Sequence, residues 1–201
     1  LFKAAIKSAS HILIVSLWLG ISSVSYATDH TEKATVVIND LQKLLSAAEQ
    51  YAKDTGEELT ITSDTNPAYG YLKIDHLIEN PGIPGWKGPY IPYKDYWLGG
   101  EQYIDHPVYN AAQLLSKEDG TDWVKGSSPD GCRKSSGSCS ISACIWLMPG
   151  ETTRQVNVQI DGVDSKADSD SAGRVRYDNG MLGGIVCLTG GKYPKDLSPV
   201  E

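Results

Sequence analysis

Along residues 31–54 the apolar side chains recur every three or four positions, at Ala34, Val37, Ile38, Leu41, Leu44, Leu45, Ala48, Tyr51 and Ala52. That spacing places them on one stripe of an α-helix, with Glu32, Lys33, Asp40, Lys43, Glu49 and Lys53 on the polar side. Asp29 with Glu32 three residues later reads as a capping box at the helix start, and Gly56 as its left-handed stop. A lone helix of this length does not hold itself in water, so a sheet or further helices must cover the apolar stripe.

Beyond Gly56 the pattern loses that period. Residues 71–79 (YLKIDHLIE) predict a short helix stopped by Asn80 and Pro81. Residues 82–100 hold Pro84, Pro89 and Pro92 among Trp86, Tyr90, Tyr93, Tyr96 and Trp97, a composition that excludes regular helix. Residues 107–117 predict another short helix, opened by Pro107 at its first turn. Residues 127–140 read as a polar Gly/Ser loop. In the last third the chain turns to short runs rich in branched and aromatic residues: 143–148 (ACIWLM), 155–160 (QVNVQI), 174–177 (RVRY) and 183–188 (GGIVCL). In the second of these, Val156, Val158 and Ile160 alternate with polar residues, the pattern of a half-buried strand. The expectation is one α+β domain over residues 28–201, an amphipathic helix followed by a small antiparallel sheet.

The start of the chain bears on compartment. Residues 1–11 are short and basic, with Lys3 and Lys7, and residues 12–24 (ILIVSLWLGISSV) are apolar. Ser25-Tyr26-Ala27 then offers small residues at the positions signal peptidase accepts, so residues 1–27 are expected to be a cleaved export signal. The alternative is a retained apolar stem, for which the run falls short of the roughly 20 residues that a bilayer needs. Lys3 and Lys7 are the only Lys, Arg, Asp or Glu in this segment, so the remainder carries 16 basic against 25 acidic residues, a net charge of −9. Such a surface repels phosphate backbones, and nucleic acid is not an expected partner.

Four cysteines, Cys132, Cys139, Cys144 and Cys187, fit an oxidising destination. Four allow three connectivities. The preferred one joins Cys132 to Cys139, closing a small polar loop, and Cys144 to Cys187, tying two apolar runs. Zinc is disfavoured, since no C-x-x-C occurs and no histidine lies near the cysteines.

Three stretches resemble a known family. Residues 36–56 are similar to the helix pattern D-L-x-x-L-x-x-A-x-x-Y-x-x-D-x-G of the major pseudopilins of type II secretion and related type IV pilins. Gly85-Trp86-Lys87-Gly88-Pro89-Tyr90 is similar to the W-x-GPY box of those pseudopilins. Ile160-Asp161 and Gly173-Arg174-Val175-Arg176 resemble an acidic turn of some pilin heads. The resemblance implies a pilin-like head: a long helix on a small antiparallel sheet, working with other pilin or pseudopilin subunits or secretion-system proteins. At its start the chain differs, with Lys3, Ala4, Ala5, Ile6 and Lys7 where family members carry an apolar stem bearing a glutamate. An ordinary signal in place of the stem accounts for that difference; membrane contact follows only if the segment is retained.

Two clusters are candidate sites. Trp86, Tyr90, Tyr93, Tyr96 and Trp97 offer either an aromatic platform for a sugar or a protein, or anchors packing the loop onto the helix. Asp161, Asp164, Asp168 and Asp170 fall within ten residues, carboxylates of the kind that collect calcium, although the spacing is not that of an EF-hand. Calcium is the one cofactor raised, and the resemblance implies it too, with ligands after the GPY box; there this chain offers Asp95, Asp105, Glu118, Asp119 and Asp122. Otherwise both acidic groups are solvated turns. His30, His76 and His106 stand in no recognisable relay, and G-x-S-x-G, H-E-x-x-H and the phosphate loop are missing. The expectation is a non-enzymatic, exported structural or interaction protein, periplasmic or extracellular, or inner-membrane-anchored if the stem is kept. A soluble secreted module that grips a carbohydrate or a protein is the alternative.

Overall fold

A computed structural model describes residues 9–63, 65–121, 131–162, 164 and 172–198, with side chains from residue 29 onward. Helix α1 runs from Ala9 to Thr55. The expected start at Asp29 is therefore corrected: no glycine or proline lies between Gly20 and Gly56, so nothing halts propagation there. Asp29 sits inside the helix and receives the Lys33 ammonium one turn on, at 2.6 Å. Gly56 ends it as expected, at φ 75° with its N–H donating to the Ala52 carbonyl. Ala34, Val37, Leu41, Leu44, Ala48 and Tyr51 are buried along the stripe. Among the described residues no helix is long and apolar enough to cross a membrane.

The described strands form one antiparallel sheet of six, β1 (Lys94–Asp95), β2 (Ile104–Asp105), β3 (Ala111–Glu118), β4 (Cys139–Met148), β5 (Val175–Gly180) and β6 (Gly183–Lys192), in the order β1-β2-β3-β4-β6-β5. A second helix, α2 (Gly150–Asp161), separates β4 from β5. Strand alternation assigns the faces. Ala112 and Leu114, Ala143 and Ile145, Val186 and Leu188, and Val175 join the α1 stripe in the main core. The intervening residues Leu115, Cys144 and Cys187 build a second, smaller cluster with Tyr71 and Ile185 on the opposite face.

Two sequence expectations are overturned. Residues 107–117 do not form a helix; Ala111–Glu118 is a strand between β2 and β4. AAQLL favours helix in isolation, but its residues are buried on both faces of the sheet, and that burial outweighs a propensity of a few tenths of a kcal/mol per residue. Residues 155–160 do not form a strand; they belong to α2, which buries Thr152, Thr153, Val156 and Asn157 at helical spacing. The alternation of Val156, Val158 and Ile160 was coincidental, because the Thr pair one turn earlier supplies the rest of the buried face. Gly162 at φ 73° caps α2 by donating to the Val158 carbonyl. The short helix expected at 71–79 shrinks to a 3-10 turn, Ile74–Leu77.

All four cysteines are paired, Cys132 with Cys139 and Cys144 with Cys187, in the connectivity preferred from the sequence. The second bridge joins directly opposed residues of β4 and β6.

Candidate interaction surfaces

The aromatic loop divides in two. Trp86 donates its indole N–H to the His76 carbonyl at 2.8 Å and meets Tyr90 edge-on, and Tyr90 in turn meets Tyr51 of α1 edge-on. Two glycines permit this seating. A side chain at Gly85 (φ 86°) would collide with the Asp54 carbonyl, and one at Gly88 with the Trp86 ring. Lys87 pairs with Asp54 at 2.9 Å. Tyr93 packs half-buried against His106, its rings edge-on at 5.3 Å. Trp86 and Tyr90 fasten the loop to the end of α1, while Tyr93 meets the His106 ring that faces Asp40 at mid-helix, and burial pushes the Tyr51 phenol up to about 12.

Tyr96 and Trp97 belong elsewhere. Trp97 is 70% exposed, and Tyr96 donates its hydroxyl to Asn110 Oδ1 at 2.7 Å. Their neighbours come in part from distant chain: Tyr96 lies 5.5 Å from Tyr103, Tyr103 lies 6.2 Å edge-on from Trp146, and Tyr69 stacks on Tyr71 at 5.6 Å. Tyr71 is held above its ordinary range by burial first, then by Tyr103 and Tyr69. The rings thus form a band on the sheet face opposite α1. Tyr103 belongs to the same aromatic-rich stretch of sequence as Tyr96 and Trp97, whereas Tyr69, Tyr71 and Trp146 carry no local signal, since they lie in two other segments brought to it by the sheet.

Register makes rows on that face. Trp146 of β4 stands opposite Ile185 of β6, and Ile185 opposite Asp178 of β5. One row further, Gln113, Cys144, Cys187 and Arg176 align across four strands. Gln113 is wholly buried and accepts the Trp146 indole N–H at 3.2 Å through Oε1. A cavity of about 200 Å³ opens between these rows.

The acidic turn is occupied by its own chain. Asp161 closes α2 and accepts the backbone N–H groups of Arg174 at 3.0 Å and Val175 at 2.8 Å. Asp164 pairs with Arg154, which also grips Glu151, and those bonds hold the Glu151 carboxyl down at about 2. Asp168, Asp170 and Asp122 lie outside the described residues. Asp119 accepts from Ser138, Ser140 and Lys192, and Glu118 from the Gly137 N–H. Asp95 and Asp105 lie on the two-residue strands β1 and β2. Among the described residues no three His, Cys, Asp or Glu side chains converge as a metal site.

His30 and His106 are fold contacts. His30 Nδ1 lies 3.0 Å from the Thr152 hydroxyl, joining α1 to α2. His106 Nδ1 accepts from Val108 N and Tyr109 N, which leaves the proton on Nε2, 3.4 Å from Asp40 Oδ2 on α1. Burial holds His106 below its usual range against the pull of Asp40, so the neutral ring is favoured.

Two further surfaces are formed by the fold. A groove of about 650 Å³ runs beside α1, lined by Asn39, Gln42, Ser46 and Gln50 of the helix and by Tyr90 and Pro92 of the loop. At the β5–β6 turn Met181 and Leu182 are almost wholly exposed, and the backbone of Leu147 approaches Gly183. Leu147 sits at a bulge in β4 with φ 60°, a conformation unfavourable for a leucine. No family model matches this chain, and no curated protein or solved structure matches it either.

Proposed function

We propose that this chain is an exported, non-enzymatic interaction protein of the bacterial envelope with a pilin-like head, a subunit or accessory of a type II secretion pseudopilus or a type IV pilus. The observation that carries this reading is the double use of α1. One face, Ala34 to Tyr51, is the spine of the main core; the other borders an open groove roofed by the Tyr90–Pro92 loop. The resemblance of residues 36–56 and of the Trp86–Tyr90 box to pseudopilins supports it, and the two disulfides fit an oxidising compartment. A groove beside a helix of the head is suited to a neighbouring subunit's helix or loop.

The test is affinity purification of the tagged full chain after reversible cross-linking of intact cells, with its partners identified by mass spectrometry. Enrichment of pilin-family subunits or secretion-system proteins is expected. Their absence from a preparation that retains the tagged protein outside the cytoplasm contradicts the proposal. The band of rings on the far sheet face favours a second reading, a soluble secreted module with a pilin-like fold that binds through that face.

A further inference from the structure

We infer that the sheet face opposite α1 carries a binding site for a neutral sugar ring of a glycan, seated in the cavity between β3, β4, β6 and β5. The site stands whether the head is assembled or free, because α1 and its groove lie on the other side of the sheet.

Size and chemistry select the ligand. About 200 Å³ is below the range of drug-sized ligands and suits one small ring. Tyr71 and Trp146 line the cavity and present aromatic surface against which the C–H face of a sugar stacks. Gln113 is wholly buried, its Oε1 taken by Trp146. Its Nε2 carries two N–H donors, of which the Tyr103 phenol takes at most one, and the other is left unmatched. A ring hydroxyl oxygen in the cavity satisfies it. Asp178 on the exposed rim accepts a hydroxyl proton from the same ring. The disulfide Cys144–Cys187 is a rigid apolar floor beneath them.

The band of rings continues beyond the cavity. Tyr103, Tyr96 and the exposed Trp97 continue from Trp146, so successive residues of a chain meet successive rings. Lys117 and Arg176 also line the cavity, but Arg176 donates to the carbonyls of Ala172, Gly173 and Val175, and Lys117 has a partner of its own. The groups left to meet a ligand are an amide, a carboxylate and aromatic faces, which recognise hydroxyls better than a carboxylate.

The experiment is titration of the purified full chain with neutral oligosaccharides: cellohexaose, chitohexaose, maltohexaose and linear galactan and mannan fragments, with polygalacturonate and a proline-rich peptide as contrasts. Binding of at least one neutral glycan is expected, weakened at least tenfold by Asp178→Asn and by Gln113→Leu. Asp178 is exposed, so its variant keeps the fold even if Gln113→Leu does not, and an unchanged melting temperature confirms it. Failure of every neutral glycan to bind overturns the inference. So does binding that survives Asp178→Asn in a folded protein, or preference for the acidic polymer or the peptide.

Discussion

Asp161 ends α2 and, through one carboxylate, fastens the start of β5 by accepting from two successive backbone N–H groups. Charge-assisted bonds of this kind contribute about 1.5–3 kcal/mol, so Asp161→Ala is expected to lower the melting temperature by about 3–12 °C in a chain of this size. Thermal unfolding followed by circular dichroism measures it. Leu147 works in the other sense. Its left-handed backbone costs about 1–2 kcal/mol, and Leu147→Gly is expected to recover about 0.5–1 kcal/mol after the added chain entropy. A strained, exposed leucine beside Met181 and Leu182 marks this turn as a surface worth mutating in partner screens. Asp75 adds a pH signature. Burial first, then Glu101, raises its carboxyl from 3.8 to about 6, and its Oδ1 is buried without a hydrogen bond. Between those values the folded chain holds a proton that the unfolded chain has released, so this group's contribution to stability falls as pH rises from about 4 to 6. Asp75→Asn is therefore expected to raise the melting temperature at pH 7–8 and to lose that advantage near pH 4, read from melting curves across the range.

Among the elements, legibility tracked how local the deciding forces were. The α1 stripe was readable because a 3.6-residue period sustained over five turns has one interpretation, and Gly56 ended it by its own backbone chemistry. Its start was misplaced because Asp29 and Glu32 form a capping pattern that the unbroken helix ignores. β3 and α2 were exchanged in kind because both are decided by neighbours: β3 by the two strands that enclose it, α2 by packing Thr152 and Val156 onto the core. Tyr96 and Trp97 were legible as candidate binding residues, whereas Gln113, Trp146 and Asp178 were not, since only strand register aligns them. The bridges follow the same logic of separation. Loop-closure entropy assigns about 4 kcal/mol to Cys144–Cys187, 43 residues apart, and about 2 kcal/mol to Cys132–Cys139, 7 apart. Paired Cys→Ser variants, compared by urea denaturation, should rank in that order.

At the scale of the whole molecule, the two faces of the sheet divide the work. One holds α1 and its groove, the surface proposed for assembly; the other holds the aromatic band and the glycan cavity. Lys33, Lys43 and Lys87 each pair with an aspartate, Asp29, Asp40 and Asp54 in turn. A net charge of −7 leaves acidic residues in excess over the whole chain, which keeps heads from associating without a specific contact. The central claim, that α1 presents a surface for other pilin-like subunits, is tested most directly by placing a photo-cross-linking amino acid at Ser46 in the groove and, separately, at Trp97 on the opposite face, then irradiating living cells. The account predicts a covalent adduct from Ser46 with a pilin-family subunit, identified by mass spectrometry. Adducts from Trp97 alone, or none from Ser46 in a correctly exported and oxidised protein, contradict it.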